Sequence, residues 1–328
     1  TGMPYAQRSE NGKRVRVTFV DEGHVLGSAV VVLDVDIDGA ERRLVFTGDL
    51  GRRNMPILRD PEVPSGACAL ISESTYGDRL HDPIDRMGDD LAEIVQRTYD
   101  RGGKVIIPSF ALERAQEVIF ALKQLKTAGR LPNMPVYVDS PLTVRLTEVF
   151  KMHPECYDAQ THELLATGDS PFEFEGLHYI SSVDDSKHLT ASSDPAVVIS
   201  ASGMCESGRV LHHLRATVGQ REDTVLIVGY QAQHTLGRRL VERRTRVKIF
   251  GVEKERRCDV RVLNGFSAHG DQSDLLDFAT EVRDRGDLQW VALVHGDPKP
   301  QDVLASELRA RGFDKVYTPA PEEAVEWS

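Results

Sequence analysis

Apolar residues give way abruptly to a turn in Leu44-Val45-Phe46-Thr47-Gly48-Asp49-Leu50-Gly51-Arg52. The apolar run is typical of a buried strand, and the glycines predict a turn directly after it. This pattern places Asp49 at the tip of a strand, where a carboxylate oxygen can bridge two divalent cations. An aspartate that merely closes a hairpin turn is the simpler interpretation, and this segment alone does not separate the two.

Three further segments place histidines in comparable surroundings. They are Gly23-His24-Val25-Leu26-Gly27-Ser28, Phe266-Ser267-Ala268-His269-Gly270-Asp271 and Val291-Ala292-Leu293-Val294-His295-Gly296-Asp297. Each of these histidines taken singly is more often a hydrogen-bonded core residue than a ligand. Together with Asp49 they favour a metal site, because imidazole and carboxylate are both zinc ligands. For His269, a loop in which Asp271 caps the next helix is the structural alternative.

The composition describes a globular chain of 328 residues, with 40% apolar and 28% charged residues and a formal net charge of −11. Every apolar run is broken too soon to cross a bilayer, and no charged-then-apolar leader opens the chain, so we expect a cytoplasmic protein. The cysteines, Cys68, Cys156, Cys205 and Cys258, form no C-x-x-C pair. They predict ordinary thiols rather than disulfides or a zinc ribbon.

The order of predicted elements indicates two kinds of domain. Residues 14–20, 29–37 and 43–47 read as strands, and Asp38-Gly39 predicts a hairpin turn between the last two. The strand at 69–72 ends at Glu73, a second acid at a strand tip. Strand-then-helix units follow from residue 104 to residue 241, which predicts a mostly parallel, doubly wound sheet. We expect only loops and short helices in 156–193, and strands and helices again after residue 247.

The motifs follow one another in the order of a known family. In sequence they are Gly23-His24-x-Leu26-Gly27-Ser28, Thr47-Gly48-Asp49-Leu50-Gly51-Arg52, Glu73-Ser74-Thr75-Tyr76-Gly77, Pro108-Ser109-Phe110-Ala111, Ser267-Ala268-His269 and Val294-His295-Gly296. This order resembles the β-CASP branch of the metallo-β-lactamase fold, which contains RNA nucleases. The resemblance implies an α/β chain: a metallo-β-lactamase-like αββα domain, incomplete at its N-terminus, formed by residues 1–76 and 256–328. A doubly wound, parallel-sheet β-CASP domain, residues 77–255, is inserted between them.

The resemblance also implies roles for the site residues. His24 would bind one zinc ion, Asp49 would bridge two, and His295 would complete the second site. Glu73 would hydrogen-bond a neighbouring histidine rather than the metal, and His269 would protonate the leaving oxygen of the cleaved phosphodiester. Two zinc ions would acidify a shared water for attack on phosphorus.

Phosphate-binding positions are predicted in the middle of the chain. Segments 200–209 and 235–239 each place glycine and arginine where a strand gives way to a helix, and helix N-termini bind anions. The predicted RNA-binding residues are Ser109, Ser202, Gly203, Arg209, Gly237 and Arg238. A plain capping turn is the alternative at both segments, and a solvated helix face is the alternative for the basic run 238–261. We interpret His81, His212, His213 and His234 as surface or RNA-groove residues; the last stands where the resemblance leads us to expect glycine.

These features predict a zinc-dependent RNA nuclease that hydrolyses phosphodiester bonds. One alternative is a non-catalytic RNA-binding partner of the same fold. The other is a small-molecule metallohydrolase, which the arginine-rich region disfavours. The sequence does not separate endonuclease from 5′-exonuclease action.

One feature of the family is missing. The His-x-His-x-Asp-His motif, which supplies four ligands to the dinuclear zinc site, does not occur here. Each zinc ion would keep two protein ligands where catalytic zinc ordinarily has about three. We therefore expect a fragment of a longer nuclease that binds RNA but cleaves it slowly or not at all. We further expect an exposed sheet edge at 15–20, covered in a homodimer or by a separate N-terminal piece.

Overall fold

The computed structural model describes residues 4–8, 14–37, 39–320 and 322–324. The strands are β1 (Pro4–Arg8), β2 (Arg14–Asp21), β3 (Ala29–Ile37), β4 (Ala40–Phe46), β5 (Ala69–Ser72), β6 (Val105–Pro108), β7 (Val136–Asp139), β8 (Leu177–Ile180), β9 (Val197–Ser200), β10 (Thr224–Ile227), β11 (Arg246–Ile249), β12 (Val252–Glu255), β13 (Asp259–Val262), β14 (Trp290–Leu293) and β15 (Val316–Tyr317). The helices are α1 (Met87–Asp100), α2 (Arg114–Thr127), α3 (Pro141–Met152), α4 (Ala159–Ala166), α5 (Val183–Ala191), α6 (Val210–Thr217), α7 (Leu236–Val241), α8 (Gln272–Asp284) and α9 (Pro298–Ala310). None of the helices in these ranges has the length and hydropathy that crossing a membrane requires.

The chain divides into two compact units. Unit 1 consists of Thr1–His81 and Ala268–Ser328, and unit 2 of Asp82–Ser267. The domain boundaries predicted from the sequence, at 76/77 and 255/256, both lie earlier in the chain than the boundaries of these units. The second differs because β13 joins the sheet of unit 2, where it pairs in parallel with β10.

Unit 1 is built on a sheet with the order β1-β2-β3-β4-β5-β14-β15. The predicted hairpin is present as β3 and β4, which pair antiparallel. Strands β4, β5 and β14 run parallel to one another. The expectation of an unpaired edge at 15–20 is wrong, because β1 pairs antiparallel with β2. Alternating side chains of β3, such as Val30 and Val32, are buried in a core with Val45 and helices α8 and α9.

The opposite face of this sheet is apolar as well. Cross-strand pairing aligns Phe19 with Val31, Val31 with Phe46, and Phe46 with Ile71. Phe19 is 48% exposed and Phe46 is 38% exposed, while Trp290 is buried in a small separate cluster on this sheet. The described residues of unit 1 therefore supply one sheet of the αββα arrangement and the helices on one of its faces.

Unit 2 contains a parallel sheet with the order β13-β10-β6-β9-β7-β8, and helices separate its successive strands. This is the doubly wound sheet that the strand-then-helix pattern predicts. Strand β8 corrects the expectation that 156–193 holds only loops and short helices. Its four residues include His178 and lie at the sheet edge, which gives them little of the apolar pattern of a central strand. In the basic run, β11 and β12 form a separate antiparallel hairpin.

Candidate metal centre and active site

The candidate site lies where strands of unit 1 end. Strands β2 and β4 point the same way, since each is antiparallel to β3, and β4 is parallel to β5 and β14. Their carboxyl ends therefore lie at one edge of the sheet. His24 follows β2, Asp49 follows β4, Glu73 follows β5 and His295 follows β14. The sheet direction thus brings together four residues that are far apart in sequence.

Glycines allow the loops after these strands to approach closely. A Cβ atom on Gly51 would lie 2.1 Å from the carbonyl carbon of Gly23, and one on Gly48 would lie 2.2 Å from Oε1 of Glu22. The amide of Gly51 donates to the carbonyl of Glu22 over 2.9 Å. Gly51 also forms an antiparallel bridge with His269, the residue that precedes α8 by three positions. The glycines around Asp49 therefore allow the loops after β2 and β4 to pack closely against each other.

Three potential metal ligands meet at this point. One donor atom each of His24, Asp49 and His269 lies within 4.8 Å of the other two. The imidazole rings of His24 and His269 have centroids 4.4 Å apart. This set contains His269, for which the sequence predicted an acid role, beside two predicted ligands.

His295, the third predicted ligand, lies beside Asp49. Its Nδ1 is 3.0 Å from Oδ1 of Asp49, and the two side chains are 58% and 43% exposed. The backbone of His295 has φ +46°, a left-handed conformation that few residues other than glycine adopt. Its carbonyl accepts from the Thr75 hydroxyl over 3.2 Å, which links the loop after β14 to the loop after β5. The strained loop thus holds His295 at the exposed side of Asp49.

Glu73 and His269 form a carboxylate–histidine pair. Oε1 of Glu73 is 3.0 Å from Nδ1 of His269; the glutamate is fully buried and the histidine side chain is 19% exposed. Oε2 of Glu73 also accepts from the amide of Thr75 over 3.2 Å. This is the contact that the family resemblance implies. A carboxylate at Nδ1 favours the tautomer with the proton on Nδ1 and leaves Nε2 for other chemistry.

Two further residues border this pair. The sequence predicted no role for Glu22 and a surface or RNA-groove position for His81. Burial raises the pKa of Glu22 to about 7, and the negative charges of Asp49 and Glu73 act in the same direction. His81, expected at the surface or in an RNA groove, packs edge-on against Tyr76, and burial lowers its pKa to about 4. Its amide donates to Oδ2 of Asp271, whose side chain caps α8. Glu22 stands two residues before His24, and that position was the only sequence signal for it.

Comparisons with known proteins place the chain in a family. A Beta-Casp domain profile matches residues 115–240, and the profile of a Zn-dependent metallo-hydrolase RNA specificity domain matches residues 253–319, which include His269 and His295. Ribonuclease TTHA0252 of Thermus thermophilus is 37% identical over 90% of this chain and 66% of its own length. This chain belongs to the β-CASP family of the metallo-β-lactamase fold.

Other β-CASP relatives are more distant. Transcription termination factor FttA of Methanosarcina mazei is 29% identical over 93% of this chain, and an RNase J-like protein of Methanocaldococcus jannaschii is 30% identical over 85%. The chain spans 49% of the former protein and 64% of the latter. It therefore corresponds to about half to two thirds of the length of these relatives.

In unit 2, Arg209 has a structural role that the sequence did not predict. Asp139, at the end of β7, is fully buried, and its Oδ1 accepts from Nη1 of Arg209 over 2.7 Å. Its Oδ2 contacts Nε2 of His213 at 2.7 Å and accepts from the Ser186 hydroxyl at 2.6 Å. Burial alone would raise the pKa of Asp139, but these hydrogen bonds hold it below its usual value. His213 is buried here rather than at the surface.

The other predicted phosphate contacts also have partners within the chain. The amide of Leu236 at the start of α7 donates to Oε1 of Glu206, so a carboxylate already occupies this helix N-terminus. Gly237 lies against Gln231, whose Oε1 would be 1.5 Å from a Cβ atom on the glycine. Ser202 accepts from the amide of Glu206 over 3.3 Å through its hydroxyl. These contacts leave fewer donors for phosphate than the sequence suggested.

Arg238 and Ser109 complete the set of predicted RNA contacts. Arg238 is 37% exposed in its side chain and pairs with Glu242 at 2.9 Å. Ser109 is buried and does not cap α2, which begins at Arg114 after Glu113. His234 has φ +69°, a conformation that favours glycine and agrees with the expectation at this position. Of these residues, Arg238 offers the charge most accessible to RNA.

Proposed function

We propose that this chain is the catalytic part of a zinc-dependent RNA nuclease that hydrolyses phosphodiester bonds. The observation that carries the proposal is the Glu73–His269 pair beside His24 and Asp49. A histidine fixed by a buried carboxylate next to a set of metal ligands suits proton transfer during hydrolysis. Membership of a family of RNA nucleases supports phosphodiester bonds of RNA as the substrate.

The donor set suits zinc. It combines imidazole nitrogen with carboxylate oxygen: a donor atom of His24 lies within 4.8 Å of one of Asp49, and Nδ1 of His295 lies 3.0 Å from Oδ1 of Asp49. In our assignment His24, Asp49 and His295 are the ligands. When bound, the metal supplies positive charge beside the scissile phosphate and makes water more acidic.

His269 delivers a proton to the leaving ribose oxygen in this proposal. Glu73 holds Nδ1 of the imidazole, which fixes the ring and keeps Nε2 as the atom that carries the mobile proton. The negative charge of Glu73 also stabilises the imidazolium form before transfer. Glu73 is therefore a positioning residue.

His269 has one rival role, as a metal ligand. Its Nε2 cannot bind a metal and deliver a proton at the same time. Zinc content separates the two roles: we expect His269→Ala to keep the parent zinc content, since a general acid is not a ligand. Loss of zinc would assign His269 to the metal.

The test of the proposed function is zinc analysis combined with cleavage of an end-labelled RNA. We expect zinc-dependent cleavage that is slow in the 328-residue chain, and the product lengths distinguish endonuclease from 5′-exonuclease action. Because each zinc ion has two ligands in our assignment, we expect faster cleavage and tighter zinc binding from a version extended at its N-terminus than from the 328-residue chain. RNA binding without zinc and without cleavage in both versions would instead support a non-catalytic RNA-binding partner. A cytoplasmic location and a homodimer remain predictions.

A further inference from the structure

Two exposed aromatic side chains stand at the carboxyl edge of the parallel sheet in unit 2. Phe110 follows β6 by two residues and is 42% exposed; Tyr230 follows the neighbouring strand β10 by three residues and is 38% exposed. Strands β6 and β10 pair in parallel, so both residues leave the sheet at the same edge. Single exposed apolar residues are common on protein surfaces, and exposure alone assigns no role to either ring.

The surroundings of Phe110 are adapted to its ring. A Cβ atom on Gly203 would lie 2.8 Å from Cδ2 of Phe110, and one on Gly229 would lie 3.8 Å from Cε2. Gly203 follows β9 and Gly229 follows β10, the two strands that flank β6. One edge of the ring therefore rests close to glycine backbone from both sides, in a space that a side chain at position 203 would fill.

A buried glutamine holds this support together. Nε2 of Gln231 donates to the carbonyl of Gly203 over 3.0 Å and to the carbonyl of Gly229 over 3.2 Å. Gln231 is 6% exposed and directly follows Tyr230. The amide of Gly237 donates to the carbonyl of Met204, which connects the start of α7 to the same turn. The two rings thus stand on a fixed frame rather than on a loose loop.

We propose that Phe110 and Tyr230 form a stacking platform for unpaired nucleobases of single-stranded RNA. A nucleobase has flat apolar faces that stack on aromatic side chains, and bases within a duplex are not available for this contact. Cationic side chains on α7 follow in sequence: Arg238 is partly exposed, and Arg239 donates to the carbonyl of His234. Aromatic rings beside arginines are the combination that binds single strands through both bases and phosphates.

This platform rests on the proposed function, because it assumes that RNA is the ligand, and it adds the form of RNA that is bound. The backbone amides of Leu236 and Gly237, at the start of α7, both donate to groups within the protein. We therefore expect stacking on the bases to contribute more of the binding free energy here than contacts with phosphates.

The experiment compares two probes of equal length: a single-stranded RNA and the same ribose-phosphate chain without bases. Fluorescence anisotropy measures their dissociation constants for the 328-residue chain at one salt concentration. We expect Phe110→Leu and Tyr230→Leu each to weaken binding of the base-bearing probe about tenfold and to leave the abasic probe unchanged. Phe110→Tyr keeps the ring and should bind as the parent does.

Phe250→Leu is the matched control, because Phe250 is 47% exposed in the same unit but lies between β11 and β12. It should change neither dissociation constant. Parent-like binding of the base-bearing probe by Phe110→Leu and Tyr230→Leu would overturn the platform and leave the proposed function intact. Equal losses for both probes would also overturn it, since they would indicate general damage to the surface. If the parent binds neither probe, the proposed function fails as well.

Discussion

In each unit a carboxylate at the end of a strand contacts a histidine, and the surroundings of the two pairs differ. In unit 1, Glu73 lies 3.0 Å from His269, which is 19% exposed. In unit 2, Asp139 lies 2.7 Å from His213, which is 1% exposed, and Arg209 and Ser186 take up the remaining capacity of the carboxylate. Asp139 in the second pair is buried away from substrate, and both of its oxygens contact groups of the protein. The first pair is accessible and adjoins potential metal ligands.

This difference shows that an acid at the end of a strand, in contact with a histidine distant in sequence, does not by itself identify an active site. A buried carboxylate with a full set of donors stabilises the fold, since removal of one partner leaves an uncompensated charge. A carboxylate that binds only one nitrogen of an exposed imidazole instead prepares the other nitrogen for chemistry. If this distinction holds, substitutions in the Asp139–His213 pair change mainly stability, and substitutions in the Glu73–His269 pair change mainly catalysis.

Asp139→Asn should lower the free energy of unfolding of unit 2 by about 3–5 kcal/mol, because Arg209 would keep a partly buried charge without its partner. Urea denaturation followed by circular dichroism measures this change. Asp184→Asn is the control, since Asp184 is 81% exposed and pairs only with Lys187; it should change stability by less than about 0.5 kcal/mol. Equal stability of Asp139→Asn and the parent would contradict the structural role.

Glu73→Gln should lower the cleavage rate about 10- to 100-fold, because an amide orients His269 but does not stabilise its protonated form. Its effect on unfolding should be smaller than that of Asp139→Asn, since the amide keeps the size of the side chain and an acceptor for the Thr75 amide. The comparison uses initial rates on a labelled RNA at saturating zinc. If Glu73→Gln instead lost stability and kept the parent cleavage rate, the Glu73–His269 pair would stabilise the fold rather than serve catalysis.

Protonation of Asp139 at low pH should reduce the stability that this carboxylate contributes to unit 2. Hydrogen bonds hold the pKa of Asp139 below its usual value of about 3.8, so the unfolded chain takes up this proton first as pH falls. The stability that Asp139 contributes is complete above about pH 4 and is lost as pH falls through its lower folded-state pKa. The stability difference between the parent and Asp139→Asn, measured from pH 7 to pH 3, should therefore be constant at first and then shrink. A difference that grows in acid would contradict this assignment.

Arg209 and Arg238 should respond differently when RNA binding is measured. Arg238→Ala should reduce the slope of log affinity against log salt by about 1, because one phosphate contact is lost. Arg209→Ala should mainly destabilise unit 2, because its guanidinium binds Asp139. Affinities at several salt concentrations, with unfolding curves for both variants, separate these effects. An equal change of salt slope in both variants would restore Arg209 to the RNA-binding surface.

The sequence indicates that Asp49, Glu73 and His295 lie at one edge of the sheet in unit 1, because the direction of each strand can be inferred locally. A strand followed within three residues by an acid or a histidine recurs at Asp49, Glu73 and His295, and parallel strands bring such ends together. The family resemblance implies that Glu73 contacts a neighbouring histidine, but it does not name His269 as that histidine. The burial of Glu22 against Gly48 could not be predicted, since it depends on how two loops pack.

Unit 2 shows where prediction from sequence stops. An arginine after a glycine-rich turn suits a phosphate and a buried carboxylate equally well, and only tertiary packing brings Asp139 to Arg209, seventy positions away. The same holds for Glu206, whose carboxylate takes the place expected for phosphate at α7. Strand β8 was missed because an edge strand of four residues has almost no periodic signal.

The most direct test is cleavage by His269→Ala, measured together with its zinc content and its unfolding curve. His153→Ala serves as the control, because His153 also contacts a carboxylate, Glu155, but at an exposed surface. We expect His269→Ala to cleave RNA about 10²- to 10⁴-fold more slowly than the parent, while zinc content and stability stay near parent values. Cleavage at the parent rate, or loss of zinc from the His269→Ala protein, would contradict the role of His269 as the acid.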